Sequence, residues 1–397
     1  MATADAPPEA VSRAGSRGGA GRPATGPAVL LAGGGTGGHI SPGLAIAERI
    51  RSLDSTARPI FACSRRAIDA EMLREADAEF IPIPAEPFSL RPGKLLKCLV
   101  EGWHGRGSAE TLLREAHIRH VVALGGYVTA PVVAAAHRLG VPILLVNLDA
   151  TPGKANRWVA RRASRILSAV PTPTMPHFAE RVIGMPIRRI AIAPSDPFTC
   201  REMLGMRSDR KTLLVTGASQ GATSLNDLVP FLAKAKPGLF AEWQVLHLCG
   251  QGDPASLQSA YDALGVPATV LRFQHRMGLA WGAADLALSR AGANSVAEAA
   301  VNGIPTLFAP YPYHKDLHQK HNAQPLVEEG AAAMALDRIE PALNMDGLGR
   351  ELVDLMTNPA RRTAMRERLG SRSREDAAAT IARVLLGLDA TGPGTSV

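Results

Sequence analysis

A glycine-rich loop stands between the first predicted strand and the first predicted helix. Its sequence, GGGTGGH, runs from Gly33 to His39. Glycines allow a tight turn and let backbone amides approach a ligand, and the amino end of the following helix offers unpaired N–H groups and a positive dipole end. The loop therefore indicates a phosphate or pyrophosphate site, with a purely structural strand–helix turn as the alternative.

His39 ends this loop, beside the predicted anion site. An imidazole titrates near neutral pH and can take a proton from an attacking hydroxyl group. His39 is therefore a candidate general base. The alternative is a histidine that caps the helix and orients the loop.

The same loop also fits a different class of enzyme. Gly33, Gly35 and Gly38 match the G-x-G-x-x-G pattern of dinucleotide-binding proteins, and Ser64, Arg65 and Arg66 follow the second predicted strand. These three residues could bind the 2′-phosphate of NADP. An NADP-dependent oxidoreductase is therefore an alternative function, and a non-catalytic scaffold that binds a sugar nucleotide is another.

Two further loops in the second half of the chain carry polar groups. TGASQGATSLND (216–227) again leads from a strand through a glycine turn into a helix, and it presents Ser219 and Gln220. In SRAGANSVAE (289–298), Glu298 is predicted to lie about one turn inside a helix, where its carboxylate can accept both hydroxyls of a ribose. A first-turn partner of the helix dipole is the alternative for this residue.

Alternating strands and helices must position these loops. Short apolar runs such as AVLLA (28–32) and KTLLVTG (211–217) alternate with helical patterns in both halves of the chain, which predicts an α/β fold with parallel sheets. We predict a disordered tail (1–27), a first domain (28–188), a linker (189–210), a second domain (211–370) and a C-terminal helix and tail (371–397). The closing helical region (349–388) is expected to pack back on the first domain.

Composition narrows the classes of protein. The 397 residues include 44 Lys and Arg against 36 Asp and Glu, a formal charge of +8 that favours anionic partners such as phosphates, nucleotides or an acidic membrane surface. The four cysteines form no C-x-x-C pair, which argues against a disulfide framework or a zinc site. The chain also contains no Asp-x-Asp pair to hold a divalent ion on a pyrophosphate, so we predict that phosphate binding needs no metal and that the protein uses no cofactor.

Seven motifs occur together and in one order. They are GGTGGHxxPGL, GGYVxxP, PGxxNRW, GxPIR, GxSQGAxxLN, SRAGAxSxxE and HQxxNA. This set resembles the MurG family of bacterial lipid-linked N-acetylglucosaminyltransferases, in glycosyltransferase family 28, and the resemblance covers about residues 28–370. The resemblance implies a GT-B architecture of two Rossmann-like, doubly wound parallel-sheet domains that face a central cleft.

The resemblance also implies an activity. Such an enzyme transfers GlcNAc from UDP-GlcNAc to the MurNAc 4-hydroxyl of undecaprenyl-pyrophosphoryl-MurNAc-pentapeptide, with inversion, at the cytoplasmic face of the cell membrane. His39 is then the general base, and Arg188 stabilises the diphosphate. The residues that the family pattern places on the substrates are Thr36, Gly37, Gly38, Asp149, Arg188, Ser219, Gln274, Ala293, Asn294, Ser295, Val296, Ala297, Glu298 and Gln319.

One segment departs from the family pattern. Asn147 stands where the family usually has Glu, and Asp149 stands where it usually has Asn. Recognition of the acceptor or of the sugar is therefore expected to differ, and a related transferase with another lipid or small acceptor is the alternative function. Asp149 is also an alternative general base, with His39 then only positioning the substrate.

A basic amphipathic segment offers a membrane contact. KLLKCLVEGWHGR (94–106) mixes leucines, a valine and Trp103 with Lys94, Lys97 and Arg106, a composition that can rest on an anionic bilayer. The alternative is a surface helix that packs its apolar stripe inward. No run of residues is long and apolar enough to predict a membrane-spanning helix, so a membrane role would be peripheral.

Overall fold

The computed structural model describes residues 26–35, 37–87, 91–217, 221–313, 317–372 and 375–388. Of the predicted tail 1–27, only Gly26 and Pro27 lie among the described residues. The chain divides into two compact units. The first comprises Met1–Leu148, Pro152–Pro186 and Ala377–Val397, and the second comprises Asp149–Thr151 and Ile187–Asp376.

The first unit is built on a seven-stranded parallel sheet in the order β3-β2-β1-β4-β5-β6-β7. Its strands are β1 (Ala28–Gly33), β2 (Arg58–Cys63), β3 (Glu79–Pro82), β4 (Ile118–Gly125), β5 (Ile143–Asn147), β6 (Arg165–Ser168) and β7 (Arg181–Val182). The connecting helices are α1 (Gly37–Leu53), α2 (Ala67–Glu75), α3 (Pro92–Glu115), α4 (Thr129–Leu139) and α5 (Lys154–Ala160). Every residue of β1 and β5 is buried, as is typical of parallel strands that are covered by helices on both faces.

The second unit repeats this design with a six-stranded parallel sheet in the order β10-β9-β8-β11-β12-β13. Its strands are β8 (Lys211–Thr216), β9 (Trp243–Leu248), β10 (Ala268–Leu271), β11 (Leu286–Ser289), β12 (Thr306–Phe308) and β13 (Ala333–Met334). Its helices are α6 (Pro197–Met203), α7 (Thr223–Ala235), α8 (Pro254–Ala263), α9 (Met277–Ala283), α10 (Ala293–Val301), α11 (His318–Glu328), α12 (Pro341–Asn344), α13 (Arg350–Thr357) and α14 (Pro359–Gly370). The predicted pair of Rossmann-like parallel-sheet domains is confirmed.

Two segments differ from the sequence expectations. Residues 189–210, for which the sequence predicts a linker, contain α6, and this helix belongs to the second unit because Cys200 and Arg201 are buried in it. The closing helical region is shared between the units. Helices α13 and α14 place Leu352 and Met365 in the core of the second unit, whereas the last helix, α15 (Ala377–Leu386), packs on α1 in the first.

The strand order fixes where ligands can bind in each unit. In both sheets the order reverses next to the first strand, between β1 and β4 and between β8 and β11. Loops diverge at such a point beyond the carboxyl ends of the strands and leave a crevice for a ligand. The glycine-rich loop before α1 and the SRAGA turn before α10 each follow one of these strands. No helix in the described part of the chain is long and apolar enough to cross a bilayer.

Candidate active site

The glycine-rich loop of the first unit is held by side chains that follow β2. The amide of Gly35 donates to Oδ2 of Asp69 at 2.7 Å, and Oγ of Ser64 donates to the same oxygen at 2.6 Å. The guanidinium of Arg66 donates to the carbonyl of Gly35 at 2.7 Å. Thr36, a predicted substrate contact, lies outside the described residues. Asp69 and Arg66 therefore hold the loop and Ser64 holds Asp69, although the dinucleotide alternative assigns Ser64 and Arg66 to a phosphate.

Asp69 was not among the predicted site residues. It is fully buried, and its carboxylate accepts the hydrogen bond of the Gly35 amide, for which the sequence predicts a ligand phosphate. The predicted anion site must therefore use the other amides of the loop and the amino end of α1. Sequence reasoning missed Asp69 because nothing in AIDAEMLRE marks one acidic residue of a helix as buried.

Removal of this carboxylate is expected to loosen the loop. In Asp69→Ala the Gly35 amide loses a charge-assisted hydrogen bond of about 1.5–3 kcal/mol, so its hydrogen exchange should accelerate at least about tenfold. Hydrogen–deuterium exchange resolved at Gly35 measures this. Asp54→Ala, which removes an exposed carboxylate that binds Thr56 in the same unit, is the control. Equal protection of Gly35 in both variants would show that Asp69 does not hold the loop.

His39 lies on the first turn of α1, against the loop that follows β4. A Cβ atom on Gly125 would lie 3.0 Å from Nε2 of His39, and one on Gly126 would lie 3.4 Å from Nδ1. Both glycines have positive φ angles, 109° and 81°, so side chains are excluded there by conformation as well as by space. The imidazole is thus brought to the point where the sheet order reverses, and Gly37 and Gly38 precede it on the same turn.

Asn147, one of the two departures from the family pattern, is fully buried at the end of β5. Its Nδ2 donates to Oγ of Ser168 at 2.9 Å, and its Oδ1 accepts from Nδ2 of Asn156 at 3.0 Å. The sequence places this residue beside the substrates. The structure instead uses it inside the first unit, where it links β5 with β6 and α5.

Asp149, the other departure, begins a three-residue segment that belongs to the second unit. The amide of Ala150 donates to Oδ1 of Asn322 at 3.2 Å, and Nδ2 of Asn322 lies 3.5 Å from Oδ1 of Asp149. Oγ1 of Thr151 lies 3.3 Å from Nδ1 of His321. The asparagine of the HQxxNA motif therefore holds the Asp149 segment, a role that the sequence did not indicate.

Glu298 lies in the second turn of α10, and the first turn of this helix holds no acidic residue. The dipole alternative for Glu298 is therefore wrong. Its Oε2 accepts a 2.9 Å hydrogen bond from Nε1 of Trp281. Burial raises the pKa of Glu298 to about 7, although the Trp281 hydrogen bond and the charge of Arg188 both act to lower it.

The amino end of α10, one turn before Glu298, can bind an anion. Its first residues carry small or polar side chains and no acid, so the helix dipole is uncompensated there. Arg188, beside the turn Arg189–Ala191, is near enough to Glu298 to act on its charge. The predicted nucleotide contacts on this helix are Ala293, Asn294, Ser295, Val296, Ala297 and Glu298.

Two glutamines complete the predicted donor side. Oε1 of Gln319 accepts from the amide of Tyr311 at 2.9 Å, which leaves its NH₂ as the group to offer to a sugar hydroxyl. Oε1 of Gln274 accepts from the amide of Arg276, also at 2.9 Å, and so shapes the turn after β10. Ser219 lies outside the described residues. Among those described, no group of three or more His, Cys, Asp or Glu side chains could hold a metal ion.

Both halves of the chain match models of one protein family. Residues 29–168 match the glycosyltransferase family 28 N-terminal domain, and residues 212–381 match the glycosyltransferase family 28 C-terminal domain.

Two similar proteins carry the same name. A relative from Nocardioides sp. is 36% identical over 365 residues, which is 91% of this chain and 98% of the relative. Another, from Streptomyces coelicolor, is 35% identical over 88% of this chain and 94% of its own. Both are named UDP-N-acetylglucosamine–N-acetylmuramyl-(pentapeptide) pyrophosphoryl-undecaprenol N-acetylglucosamine transferase. The crystal structure of Acinetobacter baumannii MurG superposes with a TM-score of 0.70 at 25% identity, over 91% of this chain and all of that one.

Proposed function

The chain belongs to glycosyltransferase family 28, and we propose that it transfers N-acetylglucosamine from UDP-GlcNAc to the MurNAc 4-hydroxyl of undecaprenyl-pyrophosphoryl-MurNAc-pentapeptide. The product is the disaccharide-linked lipid of peptidoglycan synthesis. The observation that carries the proposal is similarity along nearly the whole chain to transferases named for this donor and acceptor.

The reaction is a single displacement with inversion. The 4-hydroxyl oxygen of MurNAc attacks the anomeric carbon of GlcNAc, the bond from that carbon to the β-phosphate oxygen breaks, and UDP leaves with the electron pair. A base takes the hydroxyl proton, and His39 is the residue assigned to this step, with Asp149 as the alternative. Arg188 and the amino end of α10 stabilise the charge that grows on the diphosphate.

The donor is held by loops of the second unit. Glu298 accepts hydrogen bonds from the ribose hydroxyls, and Gln319 donates to the hydroxyls of GlcNAc. The backbone at Gln274 binds the uracil ring, and Ser219 binds on the uridine side. The acceptor is held by the first unit, with Thr36, Gly37 and Gly38 at the glycine-rich loop.

The test of this function is an assay with purified full-length protein, UDP-GlcNAc and the lipid-linked MurNAc-pentapeptide, without added metal. We expect a product heavier by one GlcNAc residue, and no transfer with UDP-glucose. UDP-GlcNAc turnover with other lipid or small acceptors, but not with this one, would support the related-transferase alternative that Asp149 motivates. Binding of NADPH without binding of UDP-GlcNAc would contradict both.

An exposed apolar stripe on α3 supports a peripheral membrane contact. Leu96, Leu99, Val100 and Trp103 recur at helical spacing, and the fractional exposure of Leu99 is 63% and that of Trp103 is 73%. The alternative of a stripe that packs inward is wrong for these four residues. Lys97 flanks the stripe. We propose that this surface rests on the anionic cytoplasmic face of the cell membrane, where the lipid acceptor is held.

Leu99→Gln tests this surface. Since the transfer of one leucine side chain out of water is worth about 1.5–3 kcal/mol, partial insertion makes vesicle binding about tenfold weaker in the variant. Co-sedimentation with phosphatidylglycerol vesicles measures the effect. Leu336→Gln, which changes a leucine that is 65% exposed in the second unit, is the matched control. Equal vesicle binding by both variants would contradict the proposed surface.

A further inference from the structure

The second unit contains a buried ion pair between Arg290 and Asp337. Nη1 of Arg290 lies 2.7 Å from Oδ2 of Asp337, and the two side chains are 7% and 0% exposed. Desolvation of two charges offsets most of their attraction, so such a pair adds little to stability compared with apolar residues of similar size. The pair therefore calls for a reason other than stability.

The guanidinium of Arg290 also joins three strand ends. Arg290 itself follows β11, its Nη2 donates to Oγ of Ser224 near the start of α7 at 2.9 Å, and its Nη1 donates to the carbonyl of Ala309, directly after β12, at 2.9 Å. The ring of Tyr311 lies 5.5 Å from the guanidinium carbon. A single planar cation thus ties the segments that follow β8, β11 and β12.

Asp337 adds the segment that follows β13. Its Oδ2 accepts from Oγ of Ser224 at 2.6 Å, and its Oδ1 accepts from the amide of Ile339 at 2.7 Å and from Nδ2 of Asn344 at 3.0 Å. Four groups therefore hold this carboxylate, Arg290 through its ion pair and the other three through hydrogen bonds. We call Ser224, Arg290 and Asp337 the Arg290 cluster.

The tied segments are those that carry the proposed donor contacts. Arg290 stands three residues before α10, the helix of Glu298. Ala309 stands two residues before Tyr311, whose amide binds Gln319. Ser224 is the second residue of α7, the helix that follows the predicted contact Ser219 in the sequence.

We propose that Asp337 and Arg290 are positioning residues, which hold the start of α7, the turn before α10 and the segment at Ala309 at a fixed spacing without touching the donor. This inference rests on the proposed function. The sheet itself does not need the cluster, because the backbone bonds of the parallel ladders already fix the register of β8, β11 and β12. Loss of the cluster therefore acts on the loops first.

The same unit contains a matched control. Nη2 of Arg201 lies 2.6 Å from Oδ2 of Asp285, and this pair is also largely buried. Asp285 accepts from the amide of Thr212 and stands one residue before β11, so this pair joins the amino ends of β8 and β11. Asp285→Asn thus breaks an Arg–Asp pair at the amino ends of β8 and β11, whereas the Arg290 cluster lies beyond their carboxyl ends.

The experiment compares Asp337→Asn with Asp285→Asn in the full chain, by calorimetric titration with UDP-GlcNAc and with UDP and by thermal unfolding. We expect the donor Kd to rise about tenfold in Asp337→Asn and to stay within twofold in Asp285→Asn. Both substitutions are expected to lower Tm. In steady-state assays the donor KM should rise in Asp337→Asn while the acceptor KM stays unchanged.

Further variants keep the proposal open to refutation if Asp337→Asn does not fold. Ser224→Ala leaves both charges in place and should weaken donor binding about threefold, and Arg290→Lys, which cannot bridge three segments, should weaken it more. Donor affinity within twofold of wild type in Asp337→Asn or Ser224→Ala overturns the proposal, as does an equal loss in Asp285→Asn. A wild-type chain that binds no UDP-GlcNAc instead refutes the proposed function.

Discussion

In His39→Ala, turnover should fall by about 10²–10⁴-fold while the affinity for UDP-GlcNAc stays unchanged. The reason is that His39 lies on the first unit, beside the loop assigned to the acceptor, whereas the proposed donor contacts lie on the second. Loss of a general base slows proton removal from the acceptor hydroxyl without removing a uridine or diphosphate contact. The measurement is kcat under saturating substrates, together with the donor Kd from titration.

The control for this variant is another histidine of the same unit. His137 is exposed in the last turn of α4, and His137→Ala should leave kcat unchanged. A large loss of donor affinity in His39→Ala would point to a structural role, because the ring packs against Gly125 and Gly126. That result would favour the alternative in which His39 orients the loop.

Asp149 is the competing base, and one substitution separates the two. Asp149→Asn restores the residue that the family usually has at this position and keeps a side chain that Asn322 can bind. If His39 is the base, Asp149→Asn retains turnover within about tenfold while His39→Ala does not. A larger loss of turnover in Asp149→Asn than in His39→Ala would instead assign the general base to Asp149.

The two sheets could be predicted from the sequence because their central strands are continuous apolar runs. AVLLAG and KTLLVT leave no other place for their side chains than a covered parallel sheet. The edge strands β3, β7 and β13 were not predicted, since they contain only four, two and two residues and carry little pattern of their own. Tertiary pairing with a neighbouring strand defines them.

Helix bounds show the same limit. A proline inside a helix loses a backbone hydrogen bond and crowds the carbonyl four residues earlier, so Pro42 favours a helix start near itself, but α1 begins at Gly37, five residues earlier. Likewise, α3 is one helix of 24 residues that continues to Glu115, nine residues beyond the segment 94–106 that the sequence marks as amphipathic. Gly102, Gly105 and Gly107 obscure the helical period there.

The motif residues could be predicted as site residues because each follows the carboxyl end of a parallel strand, where loops meet. The residues that hold the motifs could not. Asp69 binds an amide 34 residues away, and Asn322 binds one 172 residues away. Such partners are set by packing between distant elements, and no local spacing in the sequence records them.

Glu298→Ala should raise the donor Kd by about 10²–10⁴-fold, because the variant loses two charge-assisted hydrogen bonds to the ribose, each worth about 1.5–3 kcal/mol. Calorimetric titration with UDP-GlcNAc and UDP measures this, and both ligands should lose affinity equally since the ribose is common to them. Glu328→Ala, which removes an exposed carboxylate at the end of α11, should leave donor binding unchanged. An unaltered donor Kd in Glu298→Ala would contradict the ribose role.

The raised pKa of Glu298 adds a dependence on pH. In the free protein this carboxyl titrates at about 7, so it is largely protonated at pH 6 and accepts hydroxyl hydrogen bonds less well. Donor affinity should therefore fall as the pH is lowered from 8 to 6. Glu298→Gln, which is neutral throughout, should show a weak donor affinity that does not change over this range.

The same carboxyl group should make the wild type less stable at high pH. Because the folded-state pKa of Glu298 lies above its unfolded value of 4.5, the folded state binds the proton more tightly, and this stabilisation is lost as the pH rises through 7. Glu298→Gln, which keeps an acceptor for Trp281, should therefore be about 3 kcal/mol more stable than wild type at pH 8 and equally stable at pH 4. Unfolding by denaturant at both pH values measures this. If Glu298→Gln gains stability and loses donor affinity, the carboxylate serves donor binding and destabilises the fold. If the variant loses both stability and donor affinity, Glu298 is instead a structural partner of Trp281.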